Sequence, residues 1–315
     1  MTDQRNQQWG APADKHCLEF GTEPPKPLTM KTGIDSYCYH RYFGEIYPDQ
    51  SDPGERWTFR DFVNRAVELE VDAVSLESCF FESFDEGYLG EMNAVLDEKE
   101  LDRVLAWGHP DGLEAGRNEK AWHELNALIP KARNLGAEIM RIVASSKKFR
   151  DEPHAPQLEA IVKMLKESVK IASDEGVVLA LENHIDYTSA EIYEILERVG
   201  SEALKVNFDT GNTLRMMENP VEAARRLGRY TVATHTKDVD ACRHVAPEEW
   251  YFFSSVPVGA GLIDMRGVVK ALQESGYTGA LTVESDHHKD NQDEDQLVEK
   301  SINYLKNLLR ELKTG

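Results

Sequence analysis

The 315-residue chain predicts an α/β fold: a single (β/α)8 TIM barrel behind an irregular N-terminal arm. Three observations lead there. Short apolar runs alternate with amphipathic helical stretches about eight times without a break in composition. Four of the later runs end abruptly in ionisable side chains, Glu182, Asp209, His235 and Glu284, and in a barrel such ends converge on one face. No Gly-rich loop of the GxGxxG or GxxxxGKS type follows an early strand, which counts against a doubly wound sheet.

Residues 1–30 are polar and carry Pro24, Pro25 and Pro27, so they read as an arm ahead of a catalytic domain over 31–315. TGIDSYCYH from Thr32 is the first strand, and Tyr42 to Trp57 is a long loop. Thr58 to Glu70 has apolar residues at helical spacing behind a Thr that can cap it. VDAVSLES is strand-like, GEMNAVLDEKE helical, LDRVLAWGHP strand-like and Glu119 to Leu135 helical. AEIMRIVASS follows as a strand, then Pro156 to Glu175 as a helix and VVLALENH as a buried parallel strand. Helix Ser189 to Val199, strand Ala203 to Phe208, helix Asn219 to Leu227 and strand Tyr230 to Thr236 come next. Helix Met265 to Ser275, strand Gly279 to Val283 and helix Asp295 to Lys313 complete the alternation.

A formal net charge of -20 argues against a nucleic-acid partner, because phosphate affinity needs clustered Lys and Arg. It suits small neutral sugars or polyols, or a cation that offsets local carboxylates. Cys17, Cys38, Cys79 and Cys242 show no CxxC spacing and read as reduced thiols. No apolar run approaches the roughly 20 residues needed to span a membrane. The start MTDQRNQQWG lacks a signal peptide's apolar region, so the expected location is cytoplasmic.

Side chains on a strand alternate sides with period two. If Glu182 points into the barrel, so do Ala180 and His184; Asn207 goes with Asp209, Ala233 and Lys237 with His235, and Thr282 and Asp286 with Glu284. Three carboxylates and an imidazole at neighbouring strand ends suit a divalent ion such as Mn²⁺, Mg²⁺ or Co²⁺, with Zn²⁺ more usually taking nitrogen or sulfur ligands. Singly, each carboxylate reads more often as a helix cap or surface group than as a ligand. Together, without a cation, they would repel one another and resist desolvation.

The strings LALENH, TSAEIYEILERVGS, VNFDTGN, THTKD, VPVGAGLID and LTVES resemble the xylose isomerase-like TIM barrels, the superfamily of sugar isomerases and epimerases that also includes endonuclease IV. The resemblance implies a single Mn²⁺-type ion held by Glu182, Asp209, His235 and Glu284. Endonuclease IV has a further metal-binding histidine three residues after the aspartate, where this chain has Asn212. Ketose 3-epimerases carry a second glutamate shortly after the first ligand, where this chain reads IDYTS without a carboxylate at that offset. The ENH arrangement resembles the α-type subunits of C-glycoside deglycosidases, which act on 3-oxo-glycosides and use a small β-sandwich partner.

His184 is the candidate proton shuttle, against a supporting role beside a carboxylate. Lys237 can stabilise an enolate oxygen or pair with an acid such as Asp238. His109, at the end of the third strand, reads as a substrate contact or as turn packing. Arg141 orients a carboxylate, joins a structural ion pair or binds substrate, and Glu77 binds a hydroxyl or caps a turn. Trp250 to Phe253 is a substrate-covering wall, an interface or the core of an extra element. Gly259 and Gly261 let a loop turn before a helix capped by Asp264, and His287 and His288 read as rim residues.

These residues predict a divalent-metal-dependent isomerase or epimerase acting on a keto-sugar or polyol derivative through an enediolate, and the resemblance to the epimerases implies that Glu182 and Glu284 double as acid/base groups. The alternative is a C-glycoside deglycosidase-type lyase that expels a substituent from a 3-oxo-glycoside, with His184 as base or acid. A non-catalytic binding barrel is the third reading. The expected partners are a small carbohydrate or glycoside and further copies of the chain, or a small β-rich subunit for the lyase, with neither nucleic acid nor membrane.

Overall fold

The computed structural model describes residues 30–48, 50–288 and 293–314; residues 1–29 of the predicted arm, Cys17 among them, lie outside these, and Met30, its last residue, is buried in the core. Eight parallel strands form the barrel in the order β10-β1-β2-β3-β4-β5-β6-β7. They are β1 Lys31–Asp35, β2 Ala73–Glu77, β3 Asp102–Ala106, β4 Ile139–Ile142, β5 Val178–Glu182, β6 Leu204–Asp209, β7 Thr231–His235 and β10 Ala280–Val283. The ring closes between β7 and β10 through one bridge, Thr236 to Val283. Side chains complete that seam: Thr234 Oγ1 donates to Ala280 O at 2.9 Å and accepts from Thr282 N at 3.1 Å.

Most of the expected helices appear within a few residues of their sequence bounds, because their caps are local. Thr58 caps α1 (Phe59–Glu68) in a reciprocal box with Asp61, and Thr188 caps α5 (Ser189–Val199) with Glu191. Helices α2 (Glu86–Glu98), α3 (Glu119–Asn134), α4 (His154–Glu175), α7 (Pro220–Leu227), α8 (Met265–Glu274) and α9 (Glu294–Thr314) complete the outer ring. Of the residues that parity sends outward, Leu179, Leu181, Phe208 and Val283 belong to the buried apolar layer, while Val232 is half-buried and outside it. Among the described residues no helix is long and apolar enough to cross a membrane, and Cys38, Cys79 and Cys242 are free thiols.

Four features depart from the sequence pattern. β1 ends at Asp35, and Ser36–Tyr39 of the predicted first strand is a 3-10 turn. β3 stops at Ala106, so His109 lies in the turn beyond the strand, where its N–H and that of Gly112 close tight turns. Thr210–Arg215 forms a short helix, α6, capped by Asp209 through Asn212 N at 2.7 Å. A two-stranded antiparallel hairpin, β8 (Asp238–Ala241) with β9 (Phe253–Val256), is inserted after β7. Asp238 anchors it by accepting the N–H groups of Val239, Gly259, Gly261 and Ile263. A Cβ on Gly261 would stand 2.2 Å from Asp238 Oδ1, so that approach requires glycine.

Candidate active site

Strand register sets the site. Glu182 pairs across to Asn207, and Asp209 stands directly beside His235. The register shift between Val206 and Asn207 is the kind of bulge that re-aims side chains at a barrel rim. Ligand atoms of Glu182, Asp209 and His235 all lie within 4.8 Å of one another, and all three residues are buried. His235 Nδ1 is 3.4 Å from Glu182 Oε1, 3.8 Å from Glu284 Oε2 and 4.0 Å from Asp209 Oδ2. Glu284 thus adjoins the group through His235 but stands outside its mutually close core.

Neighbouring cations hold these carboxylates in place. Arg141 Nε donates to Glu182 Oε2 at 2.5 Å, and its Nη1 lies 3.4 Å from Glu77 Oε1. Lys237 Nζ lies 2.5 Å from Glu284 Oε2, without hydrogen-bond alignment, 2.8 Å from Asp286 Oδ2 and 3.4 Å from Asp209 Oδ2. Arg215 clamps Asp286 with bonds of 2.6 and 2.9 Å.

Burial works against charge at Glu182, yet Arg141 and His235 outweigh it and keep its carboxyl well below the usual range. At Asp209 burial wins over Lys237 and pushes the carboxyl up. Burial likewise raises Glu77 despite Arg141. Burial would lower the Lys237 ammonium, but Asp209, Asp286 and Glu284 raise it well above its ordinary value. His184 goes the other way, pulled down by burial to about 4 against the attraction of Glu182.

The donor set fits a divalent cation. Asp209 Oδ2, Glu284 Oε2 and both His235 nitrogens are buried without a hydrogen-bond partner, and buried polar groups normally have one. Among the described residues, six buried carboxylates (Asp35, Glu77, Glu182, Asp209, Glu284, Asp286) face Arg141, Arg215 and Lys237 as permanent cations. A cavity of about 720 Å³ opens onto this cluster, lined among others by Glu284, Lys237, His184, His109 and Trp250.

The family model described as xylose isomerase-like TIM barrel matches residues 63–308. The chain belongs to that family. An inosose dehydratase from Clostridium botulinum is 27% identical over 128 residues, 37% of this chain and 43% of that protein. The match therefore spans less than half of that relative's length. A xylose isomerase domain protein from Planctomyces limnophilus superposes with a TM-score of 0.71 at 19% identity, covering 91% of this chain and 99% of that one. A D-psicose 3-epimerase from Clostridium cellulolyticum H10 gives 0.68 at 16% identity, covering 89% and 99%. At these identities the structural likeness is one of fold.

The remaining candidates gather around the same cavity. Glu77 ends β2 and makes no side-chain cap bond, so its alternative reading as a cap is set aside. His109 stacks on Trp107 with ring centres 5.2 Å apart, and its Nδ1 accepts Asp111 N at 3.3 Å. Trp250 opens a short 3-10 turn ahead of β9 and stands against Tyr47 at 5.7 Å and under the Arg215 guanidinium at 5.3 Å. His287 and His288 are buried, 8% and 5% exposed, rather than on the rim; His287 stacks on Tyr251 at 4.5 Å. Asp186 of IDYTS directs its oxygens to the N–H groups of Ser145 and Tyr187.

Asn212 reaches Glu182 Oε1 at 3.2 Å from the first turns of α6. In the sequence Asn212 stands out only as the position of a missing histidine; the helix after Asp209, invisible to hydropathy, is what turns it inward. Asp35 and Arg215 were also missed. Asp35 closes β1, a polar strand end like the others and the one available clue to it.

Proposed function

We propose that the protein is a divalent-metal-dependent isomerase or epimerase of a keto-sugar or polyol derivative, working through an enediolate. The observation that carries the reading is the buried Glu182–Asp209–His235 group, in which Asp209 Oδ2 and both His235 nitrogens have no hydrogen-bond partner, beside Glu284 and Lys237, which line the cavity with His184. Glu182, Asp209, His235 and Glu284 would hold the ion, Mn²⁺ first among the candidates. When bound, such an ion supplies Lewis-acid polarisation of a carbonyl and its neighbouring hydroxyl.

Glu284, on the cavity wall, takes the proton from the carbon beside the carbonyl, and Glu182 acts as the second acid/base group. Lys237, kept protonated by its three carboxylates, stabilises the negative charge that develops on oxygen. Trp250 and His109 present a ring face and an imidazole to the substrate, and Glu77 accepts a hydroxyl. Arg141 is engaged with Glu182, Glu77 and Trp107 O, so it orients a ligand rather than gripping substrate. The names of the relatives, an inosose dehydratase and a D-psicose 3-epimerase, support a polyhydroxy ketone as the substrate class.

A second reading is β-elimination from a 3-oxo-glycoside by a C-glycoside deglycosidase-type lyase working with a small β-rich subunit. It is favoured by His184, whose Nδ1 is buried without a partner beside the cavity and whose lowered pKa leaves a neutral imidazole able to accept a proton. Both readings begin with loss of the same α-proton. Incubating the Mn²⁺-loaded protein in D₂O with ketoses, inososes and 3-oxo-glycosides tests them together by mass spectrometry. Deuterium in an isomeric product is the expected result; loss of water or aglycone favours the lyase, in which His184→Ala lowers the rate by about 10²-fold or more. No exchange with any of these substrates would contradict both.

A further inference from the structure

Asp35 is fully buried and has no part in the proton transfers above. Its Oδ1 accepts the N–H of Tyr37 at 2.6 Å, capping the 3-10 turn Ser36–Tyr39. Its Oδ2 has no hydrogen-bond partner and lies 3.4 Å from His235 Nε2, which has none either. The opposite ring nitrogen, Nδ1, is the one that faces Glu182, Glu284 and Asp209. β1 adjoins β10, across the closing seam from β7, so this carboxylate reaches the imidazole from a different strand.

A neutral imidazole carries one proton, and the partner of one nitrogen decides what the other can do. A carboxylate at Nε2 selects the Nε2–H tautomer and leaves the Nδ1 lone pair for a cation. We propose that Asp35 is a positioning residue that fixes His235 in this tautomer and orientation and thereby sets the affinity of the site for a divalent ion. The role rests on the metal reading of the site. The Tyr37 N–H holds Oδ1, which leaves Oδ2 aimed at the ring.

The orientation dictated by Tyr37 makes Asp35→Asn informative. The amide oxygen must stay on the Tyr37 N–H, which turns the NH₂ group toward Nε2 and favours the wrong tautomer. The cap survives while the electronic demand on His235 is reversed. Asp35→Ser also keeps a capping oxygen but removes the group facing the ring, and it serves if the Asn variant does not fold. Calorimetric titration of the metal-free proteins with Mn²⁺ should show affinity lowered about 10- to 100-fold in either variant, with urea midpoints near wild type. In the Zn²⁺-loaded wild type, the His235 Nε2 proton should be shifted downfield and protected from exchange, and that signature should vanish in Asp35→Ser. Wild-type Mn²⁺ affinity in both variants would overturn the role of Asp35 alone. A wild-type protein that binds no divalent ion would overturn the metal reading and this role with it.

Discussion

At the scale of single residues, the site is a competition between burial and pairing. Arg141 is buried between Glu182 and Glu77, and removing one partner of such a pair leaves an uncompensated charge that costs about 3–5 kcal/mol. Arg141→Met is therefore expected to lower unfolding free energy in urea by that order in the presence of EDTA, and by less when Mn²⁺ can offset the carboxylates. An equal loss in both conditions would detach Arg141 from the ion site. Glu182, Asp209, His235 and Glu284 stand out in the sequence because four apolar runs end alike, whereas any one of these ends also serves structure, as Asp209 does in capping α6. Asp35, Asn212 and Arg215 do not stand out, since their partners lie on other strands and a one-dimensional pattern carries no cross-strand distances.

At the scale of elements, the eight barrel strands and most helices follow from period and capping, while α6 and the β8–β9 hairpin do not. α6 is six residues long, too short for a 3.6 period to emerge. The hairpin is organised by one buried carboxylate, Asp238, gathering four N–H groups, a device that leaves no hydropathy signature. The WYFF segment gains a definite place from it: Trp250 lines the cavity and Phe253 begins β9. The barrel's weakest seam is the single β7–β10 bridge, where the Thr234 hydroxyl replaces ladder bonds. Thr234→Val keeps the shape and removes that hydroxyl, so it should cost about 1–3 kcal/mol. An unchanged urea midpoint would show that the seam closes without it.

At the scale of the molecule, a chain of net charge -20 buries four carboxylates within 4.0 Å of the His235 imidazole, and with Glu77 and Asp286 they outnumber Arg141, Arg215 and Lys237, an arrangement that self-repulsion opposes unless a further cation joins it. Binding to the folded state alone also adds stability, about 2.7 kcal/mol at a hundred times the dissociation constant. The protein should therefore melt higher in Mn²⁺ than in EDTA, and Asp209→Asn should lose that difference while keeping its fold.

Titration of the metal-free protein with Mn²⁺, read by calorimetry, tests the central claim most directly. One ion should bind per chain, with binding abolished or strongly weakened in Asp209→Asn. No saturable binding of Mn²⁺, Mg²⁺, Co²⁺ or Zn²⁺, or binding untouched by loss of Asp209, would contradict it.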